Sequence, residues 1–180
     1  MAKNKPAAAG GSIEKAREQA GEIAKIDSYE GQMALAEVEI GTGNKEKAEQ
    51  AYREAIAMRP GGWRAYHRLG YFYMRAERWD DAIVQFRKYV EVAPTDANSY
   101  DSLGEALLAK GGVDEALASY LKALSLNDSF AASLLGAAKC YDRKGMKSDA
   151  ARYYRHFADA NPSSREAKTA RDRAEELEHK

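Results

Sequence analysis

Residues 63–96 read WRAYHRLGYFYMRAERWDDAIVQFRKYVEVAPTD, and this stretch decides the fold. Tyr66, Leu69 and Tyr73 are spaced by three and four residues, which places their side chains on one face of a helix. Apolar residues spaced by four follow in the second half, and Pro94 ends that half because proline cannot continue a helix. The stretch therefore predicts two helices, with large residues of one facing small residues of the other.

The same pattern recurs along the chain with a fixed period. Pro60 and Pro94 are separated by 34 residues, which is one period, and Pro162 follows after 68 residues, which is two periods. Other columns share this spacing, which is the signature of a repeat architecture. These columns are Ala48, Ala82, Ala116 and Ala150; Tyr52, Phe86, Tyr120 and Tyr154; and Leu35, Leu69, Leu103 and Ala137. The predicted copies are residues 29–62, 63–96, 97–130 and 131–164.

Composition excludes several classes of protein. The chain has 180 residues, of which 44% are apolar, and its 28 basic and 28 acidic residues give a formal net charge of zero. Non-specific nucleic-acid binding needs a basic surplus, so it is disfavoured. One cysteine excludes an internal disulfide, and no apolar run reaches the roughly 20 residues that span a bilayer.

Helix ends are marked by short signals at the same period. Lys110-Gly111 and Lys144-Gly145 each combine a cation in a last helical turn with a glycine that can adopt the left-handed conformation. The predicted N-caps of the second helices are Asp80, Asp114 and Ser148.

This pattern resembles the tetratricopeptide repeat. The matching residues are Trp63, Tyr66, Leu69, Gly70, Tyr73, Ala82, Phe86 and Pro94, with their counterparts in the other copies. The resemblance covers residues 29–164 and implies an all-α, right-handed helical solenoid of four repeats. In the first copy, Gln32 and Glu39 stand where bulky apolar residues are expected, so we expect its first helix to be less covered.

Two flanking segments complete the predicted organisation. Residues 1–11 read as a flexible tether, and residues 12–28 as an N-terminal helix that caps the first repeat. Ser163 and Glu166 form a capping box that opens a C-terminal capping helix over residues 165–180.

No chemistry-bearing motif stands out. The three histidines form no helical metal pair, and the glycine pairs lack the lysine and hydroxyl residues of a phosphate-binding loop. Cys140 reads as a small buried apolar residue. We therefore predict no catalytic residue, no metal and no cofactor, and expect the protein not to be an enzyme.

The resemblance implies a peptide-binding concave face made by the first helices of successive repeats. Charge alternates along the repeats, at +1 in the second, −3 in the third and +3 in the fourth. The predicted groove residues are Arg64, His67, Arg68, Tyr71, Arg75, Asn98, Asp101, Glu105, Leu135 and Lys139.

Two interpretations of this groove remain open. Arg68 with Asp101, and Glu105 with Lys139, could pair across adjacent helices and neutralise the wall, since surface pairs are common and weak. Alternatively, a basic and aromatic wall beside an acidic wall suits a partner segment of mixed charge. The Lys, Asn and Arg cluster by which chaperone-binding relatives hold a C-terminal carboxylate is incomplete in either repeat register.

The predicted function is that of an adaptor that binds a peptide or helix of another protein. The family resemblance adds an expected place in a bacterial envelope, secretion or motility assembly. The alternative is a self-assembling scaffold that docks through Trp79, Tyr89, Phe157 or the apolar side of the N-terminal helix. The other interpretation of these surfaces is ordinary packing between repeats. We expect no nucleic acid, no membrane insertion, and a monomer or weak homo-oligomer. As the chain stands a cytoplasmic location is favoured, and an envelope location stays open if a signal segment was removed.

Overall fold

The computed structural model describes residues 7–179, with side chains from residue 11 onwards. The protein is all-α, and ten helices form the regular structure of the described residues. They are α1 Ala7–Ile26, α2 Ser28–Thr42, α3 Lys45–Met58, α4 Trp63–Arg75, α5 Trp79–Val92, α6 Ala97–Lys110, α7 Val113–Leu126, α8 Ala131–Arg143, α9 Lys147–Ala160 and α10 Arg165–Glu178. Helices α2 to α9 form four consecutive pairs at the positions of the four sequence copies, and α2 packs on α3, α6 on α7 and α8 on α9.

The turn between the two helices of each repeat has a residue with positive φ at one fixed repeat position. Gly43, Gly111 and Gly145 have φ of 80°, 98° and 70°, as predicted for the last two. The second repeat has Glu77 at this position, with φ of 56°. Glycine adopts this left-handed conformation without strain, whereas a Cβ atom makes it unfavourable. The second turn therefore carries a local strain that the other three avoid.

The chain divides into two compact units, Met1–Phe72 and Tyr73–Lys180. In the first unit α1 packs on α2, and α2 packs on α3. Its core is formed by tyrosines and alanines such as Tyr29, Tyr52 and Ala48, and the Tyr52 ring meets Phe72 edge-on at 6.4 Å between centroids.

In the first unit, α1 supplies the cation that pairs with a buried carboxylate of the first repeat. Glu39 is 2% exposed, and Arg17 of α1 donates to both of its carboxylate oxygens at 2.7 and 3.0 Å. Asn44 adds a third donor at 2.8 Å. Because Arg17 donates to it, the pKa of Glu39 falls to about 2 despite burial. The expectation of a less covered helix is therefore wrong at this residue: Glu39 is buried because α1 neutralises it.

In the second unit each helix packs on the next, and α6 also contacts α8. This contact places the first helices of the third and fourth repeats side by side. Ala116 and Ala150 have no exposed surface, and α10 packs on α9 through a face whose buried residues are apolar. The members of that face are all buried: Ala167, Ala170, Ala174 and Leu177.

Several predicted boundaries were wrong. Helix α1 begins at Ala7, so residues 7–11 are not a tether; alanine is the strongest helix former, and residues 7–9 are three alanines. The rest of the predicted tether, residues 1–6, lies outside the described residues. At the other end α1 stops at Ile26, and Asp27 caps α2 by accepting from the amides of Tyr29 and Glu30. Helix α10 is capped by Ser164 in place of Ser163.

The predicted N-caps of the second helices were also wrong, because those helices begin earlier. They start at Trp79, Val113 and Lys147. Ser148 therefore lies inside its helix. Asp80 and Asp114 lie in a first turn, where negative charge is favoured by the helix dipole, and they pair with Lys110 and Lys144 of the following repeat.

Substitutions at the turn position should separate backbone strain from side-chain contacts. Gly111→Ala should lower the free energy of unfolding by about 1–2 kcal/mol, although nothing lies within 4 Å of the added Cβ. Glu77→Gly should raise stability by up to about 1 kcal/mol, since relief of strain exceeds the entropy gained by the unfolded chain. Urea unfolding of the two variants measures both. If Glu77→Gly lowers stability, the strain assigned to this turn is wrong.

Arg17→Ala should destabilise the protein at pH 7, because it leaves a buried charged Glu39 without its cation. The stability that Glu39 contributes is present above its ordinary pKa of 4.5 and is lost as the pH falls through about 2. The effect of Arg17→Ala should therefore shrink in acid. Denaturant unfolding between pH 7 and pH 3 tests this, with exposed Lys15→Ala on the same helix as control. An equal loss in both variants would show that Arg17 has no special role.

Candidate functional site

A cleft of about 400 Å³ lies in the second unit, between α6 and α8. Four of its residues are among the predicted groove residues: Asp101, Glu105, Leu135 and Lys139. One wall therefore carries the two carboxylates of α6, one helical turn apart. The other wall carries Lys139 and Arg143 of α8. The structure brings these predicted residues together around one concavity.

The floor of the cleft is the ring of Tyr120, which reaches through from α7. A Cβ atom on Gly104 would come within 2.9 Å of this ring, and one on Gly136 within 2.4 Å. Neither glycine can be replaced without moving the ring, which is buried between the two helices. The glycines thus let an aromatic side chain lie at the base of the cleft without filling it.

Asp101 is the most unusual residue of the cleft. It is 6% exposed, and its Oδ1 accepts a hydrogen bond of 2.6 Å from Oγ of the fully buried Ser133. Burial, with the negative charge of Glu105 nearby, raises the pKa of Asp101 to about 6. Within the described part of the second unit, no lysine or arginine lies within 4.0 Å of this carboxylate. Asp101 is therefore a buried acid that ionises near neutral pH without a cation of its own.

A second, more apolar cleft of about 340 Å³ adjoins the first. It lies between α8, α9 and α10 and shares Leu135 and Lys139 with the first cleft. Tyr154 and Ala170 supply apolar surface. Arg173 lies at its edge and donates to both oxygens of Asp142 at 2.8 Å. The two clefts form a continuous strip, charged at one end and apolar at the other.

The first unit contains four of the five predicted α4 residues, Arg64, His67, Arg68 and Tyr71, which form a surface of alternating rings and cations. The His67 ring lies 6.0 Å from Trp63 and 5.0 Å from Tyr71, in edge-on contacts. Arg64 pairs with Glu30 of α2 at 2.7 Å, and Arg68 lies 3.6 Å from Glu37. These pairs are largely solvent-exposed, so each adds little stability and leaves its guanidinium accessible.

The remaining predicted groove residues have separate environments. Arg75 is exposed in the last turn of α4. Asn98 is half-buried near the start of α6, and its amide donates to Tyr89 Oη at 3.3 Å. The structure gives Arg68 a partner in α2, and Asp101 a partner in α8. Glu105 and Lys139, the other pair considered, line opposite walls of one cleft.

Two of the predicted docking residues belong to the core. Tyr89 is fully buried and Phe157 is 5% exposed, so ordinary packing between repeats explains them. Trp79 is half-buried. Among the described residues of the first unit, the large apolar side chains that are exposed are Ile23, Ile26, Met58 and Trp63, of which Ile26 is 91% exposed.

Sequence reasoning missed Tyr120 and Ser133 as parts of the site. Tyr120 belongs to the aromatic column of the second helices, which predicts core packing alone. A signal was present at Gly136, where the other repeats have Ala34, Arg68 and Ser102. A glycine that departs from its column indicates a close approach, here that of the Tyr120 ring.

Two further properties of the described residues bear on the function. No cluster of three or more His, Cys, Asp or Glu side chains with metal-binding geometry occurs between residues 7 and 179. Nor is any helix in that range long and apolar enough to cross a bilayer. Cys140 is fully buried, and burial raises the pKa of its thiol to about 11.

Comparison with known proteins gives one consistent result. A tetratricopeptide repeat family model matches residues 33–97 and 102–168. Human tetratricopeptide repeat protein 7A is 38% identical over 95 residues, which cover 53% of this chain and 11% of that protein. The chain matches between 4% and 16% of the length of the curated relatives.

Two solved structures show the same fold. YrrB, a tetratricopeptide repeat protein with an unusual peptide-binding site, superposes with a TM-score of 0.73 at 18% identity, covering 92% of this chain and 86% of its own. MamA from Desulfovibrio magneticus RS-1 gives a TM-score of 0.66 at 21% identity, covering 90% and 89% of the two chains.

Asp101→Asn should stabilise the protein at pH 7.5, since the amide keeps an acceptor for Ser133 and removes the buried charge. The folded state favours protonated Asp101, so its contribution to stability is complete below pH 3.8 and is lost as the pH rises through about 6. The advantage of the variant should therefore vanish below about pH 4. The other charged or titratable residues that line the cleft with Asp101 are Glu105, Lys139, Arg143 and Tyr120.

Denaturant unfolding of wild type and variant from pH 4 to pH 8 measures this difference. Glu175→Gln, which removes an exposed carboxylate from α10, is the matched control and should show no such trend. A constant difference between Asp101→Asn and wild type across this range would contradict a raised pKa for Asp101.

Proposed function

The chain belongs to the tetratricopeptide repeat family, and we propose that it is a non-enzymatic adaptor that binds a peptide or helical segment of a partner protein. Proteins of this family act as protein-interaction scaffolds. The proposed site is the strip formed by the two adjoining clefts of the second unit. The cleft between α6 and α8 carries the proposal, because it is open, has an aromatic floor and presents opposite charges on its two walls.

The charge pattern of this cleft supports a partner segment of mixed charge. Glu105 and Lys139 are both exposed, on opposite walls, so each can meet a complementary group of a bound segment. Such complementary charges accelerate association and fix the orientation of the partner. The apolar strip around Leu135, Tyr154 and Ala170 offers the desolvated surface that provides most of the affinity in an interface.

The α4 surface of the first unit is a second proposed contact. Arg64, His67, Arg68 and Tyr71 present aromatic and guanidinium groups, which are the side chains most enriched at interface hot spots. Tyr71→Ala should weaken partner binding, since truncating a buried aromatic anchor costs about 2 kcal/mol or more. The expected place in an envelope, secretion or motility assembly stays a prediction.

A self-assembling scaffold is the second candidate function. Its support is the exposed apolar surface of the first unit, above all Ile26 and Met58. The Asp27–Arg59 ion pair, with an N–O distance of 2.8 Å, brings the ends of α1 and α3 together, so these two side chains lie at one edge. Light scattering of wild type and Ile26→Ser separates the candidates: a dimer that Ile26→Ser disrupts would favour the scaffold.

Introducing a negative charge into the groove tests the adaptor function. Lys139→Glu and Leu135→Glu should each weaken retention of the partner, with Lys139→Glu mattering less at high salt because exposed charges are screened. Lys168→Glu on α10 is the matched control, since Lys168 is exposed and lines neither cleft. The measurement is quantitative mass spectrometry of proteins retained by each immobilised chain, with helical circular dichroism to verify folding. Equal retention by all variants would place the partner elsewhere.

A further inference from the structure

Asp101 keeps one carboxylate oxygen available to the cleft. Its Oδ1 accepts the hydrogen bond from Ser133, whereas Oδ2 has no donor among the described residues. Since Asp101 lines the cleft and Oδ2 is not sealed within the core, an incoming donor can reach this oxygen. The position is also held firmly, because Ser133 is fully buried on the neighbouring helix.

The charged group that acts on Asp101 is acidic, although two cations, Lys139 and Arg143, also line the cleft. Glu105, one turn along α6, is the charge that acts most directly on Asp101, and it is also acidic. Arg143 donates towards the backbone oxygen of Leu108 at 3.3 Å. Lys139 is exposed on the opposite wall. The chain therefore leaves the carboxylate at the base of the cleft without neutralisation, and a buried charge of this kind is costly unless a cation joins it.

We propose that the cleft between α6 and α8 is a recognition pocket for a basic side chain of the partner segment, arginine in preference to lysine, with Asp101 as its anchor and Glu105 as its second acceptor. This inference rests on the proposed function of the groove and specifies the chemistry of the partner. A planar guanidinium can donate in parallel to the two carboxylates on one wall, above the buried ring of Tyr120 at the floor. An ammonium group has neither the fork nor the planar face.

A small probe tests the pocket without knowledge of the partner. N-acetyl-arginine N-methylamide carries the guanidinium, and its citrulline counterpart has nearly the same shape but no charge. Titration of the full chain with each probe, followed by amide NMR at pH 7.5 and low salt, should give saturable shifts on α6 and α8 with the arginine probe. The citrulline probe should bind about tenfold more weakly, as expected when a charge-assisted hydrogen bond is lost.

Three variants assign the effect to Asp101. Asp101→Asn should weaken binding of the arginine probe about tenfold and leave the citrulline probe unchanged. Ser133→Ala keeps the carboxylate and should still discriminate between the probes. Glu175→Gln, far along α10, should match wild type. Equal binding of both probes, shifts outside the cleft, or undiminished binding of the arginine probe by Asp101→Asn would each overturn the proposal.

The outcome is separable from that of the adaptor function. If Lys139→Glu loses the partner but no variant changes probe binding, the groove function stands and the arginine pocket is wrong. If the arginine probe depends on Asp101 but all groove variants retain the partner, the pocket stands and the groove is not where that partner binds.

Discussion

An alanine that recurs once per repeat is the tightest constraint on how the second helix of each repeat packs. Ala48, Ala82, Ala116 and Ala150 have no exposed surface, so each is enclosed on all sides. A larger side chain at such a position would force the helices apart, because close-packed interiors cannot absorb extra atoms without strain. The aromatic residue four positions later fills the remaining space. Since each repeat buries its apolar surface only against its neighbours, both ends of such an array need a cover.

Each unit obtains that cover from a terminal helix that an arginine secures. In the first unit, Arg17 of α1 binds the buried Glu39 of α2. In the second, Arg173 of α10 binds Asp142 of α8 through two hydrogen bonds. A bidentate guanidinium–carboxylate pair fixes distance and direction together, which an apolar contact alone does not. The terminal helices are thus oriented by polar contacts as well as by burial.

The candidate site lies where packing within the second unit leaves an open cleft and a buried carboxylate, that of Asp101, without a cation beside it. Gly104 and Gly136 allow the Tyr120 ring to reach the base of the cleft, and Asp101 is buried beside it with Ser133 as its hydrogen-bond partner. A chain selected for stability alone gains nothing from an uncompensated buried carboxylate. An uncompensated carboxylate at the base of an open cleft is what the proposed recognition pocket requires, since costly groups concentrate at functional sites. The same reasoning does not apply to Glu39, because its charge is fully paired.

The sequence by itself determined the period, the four pairs of helices, the small and large columns of the core and the glycine turns. These features are set by local spacing and by the conformational range of single residues, so they can be read without coordinates. Tertiary structure alone decided the partner of Glu39, which lies 22 residues away in sequence, the early start of the second helices and the environment of Asp101. The sequence placed Asp101 in the groove, but its burial beside Ser133, 32 residues further on, follows from the contact of α6 with α8. A pKa depends on the groups that distant segments bring to a residue, and spacing along the chain does not contain that information.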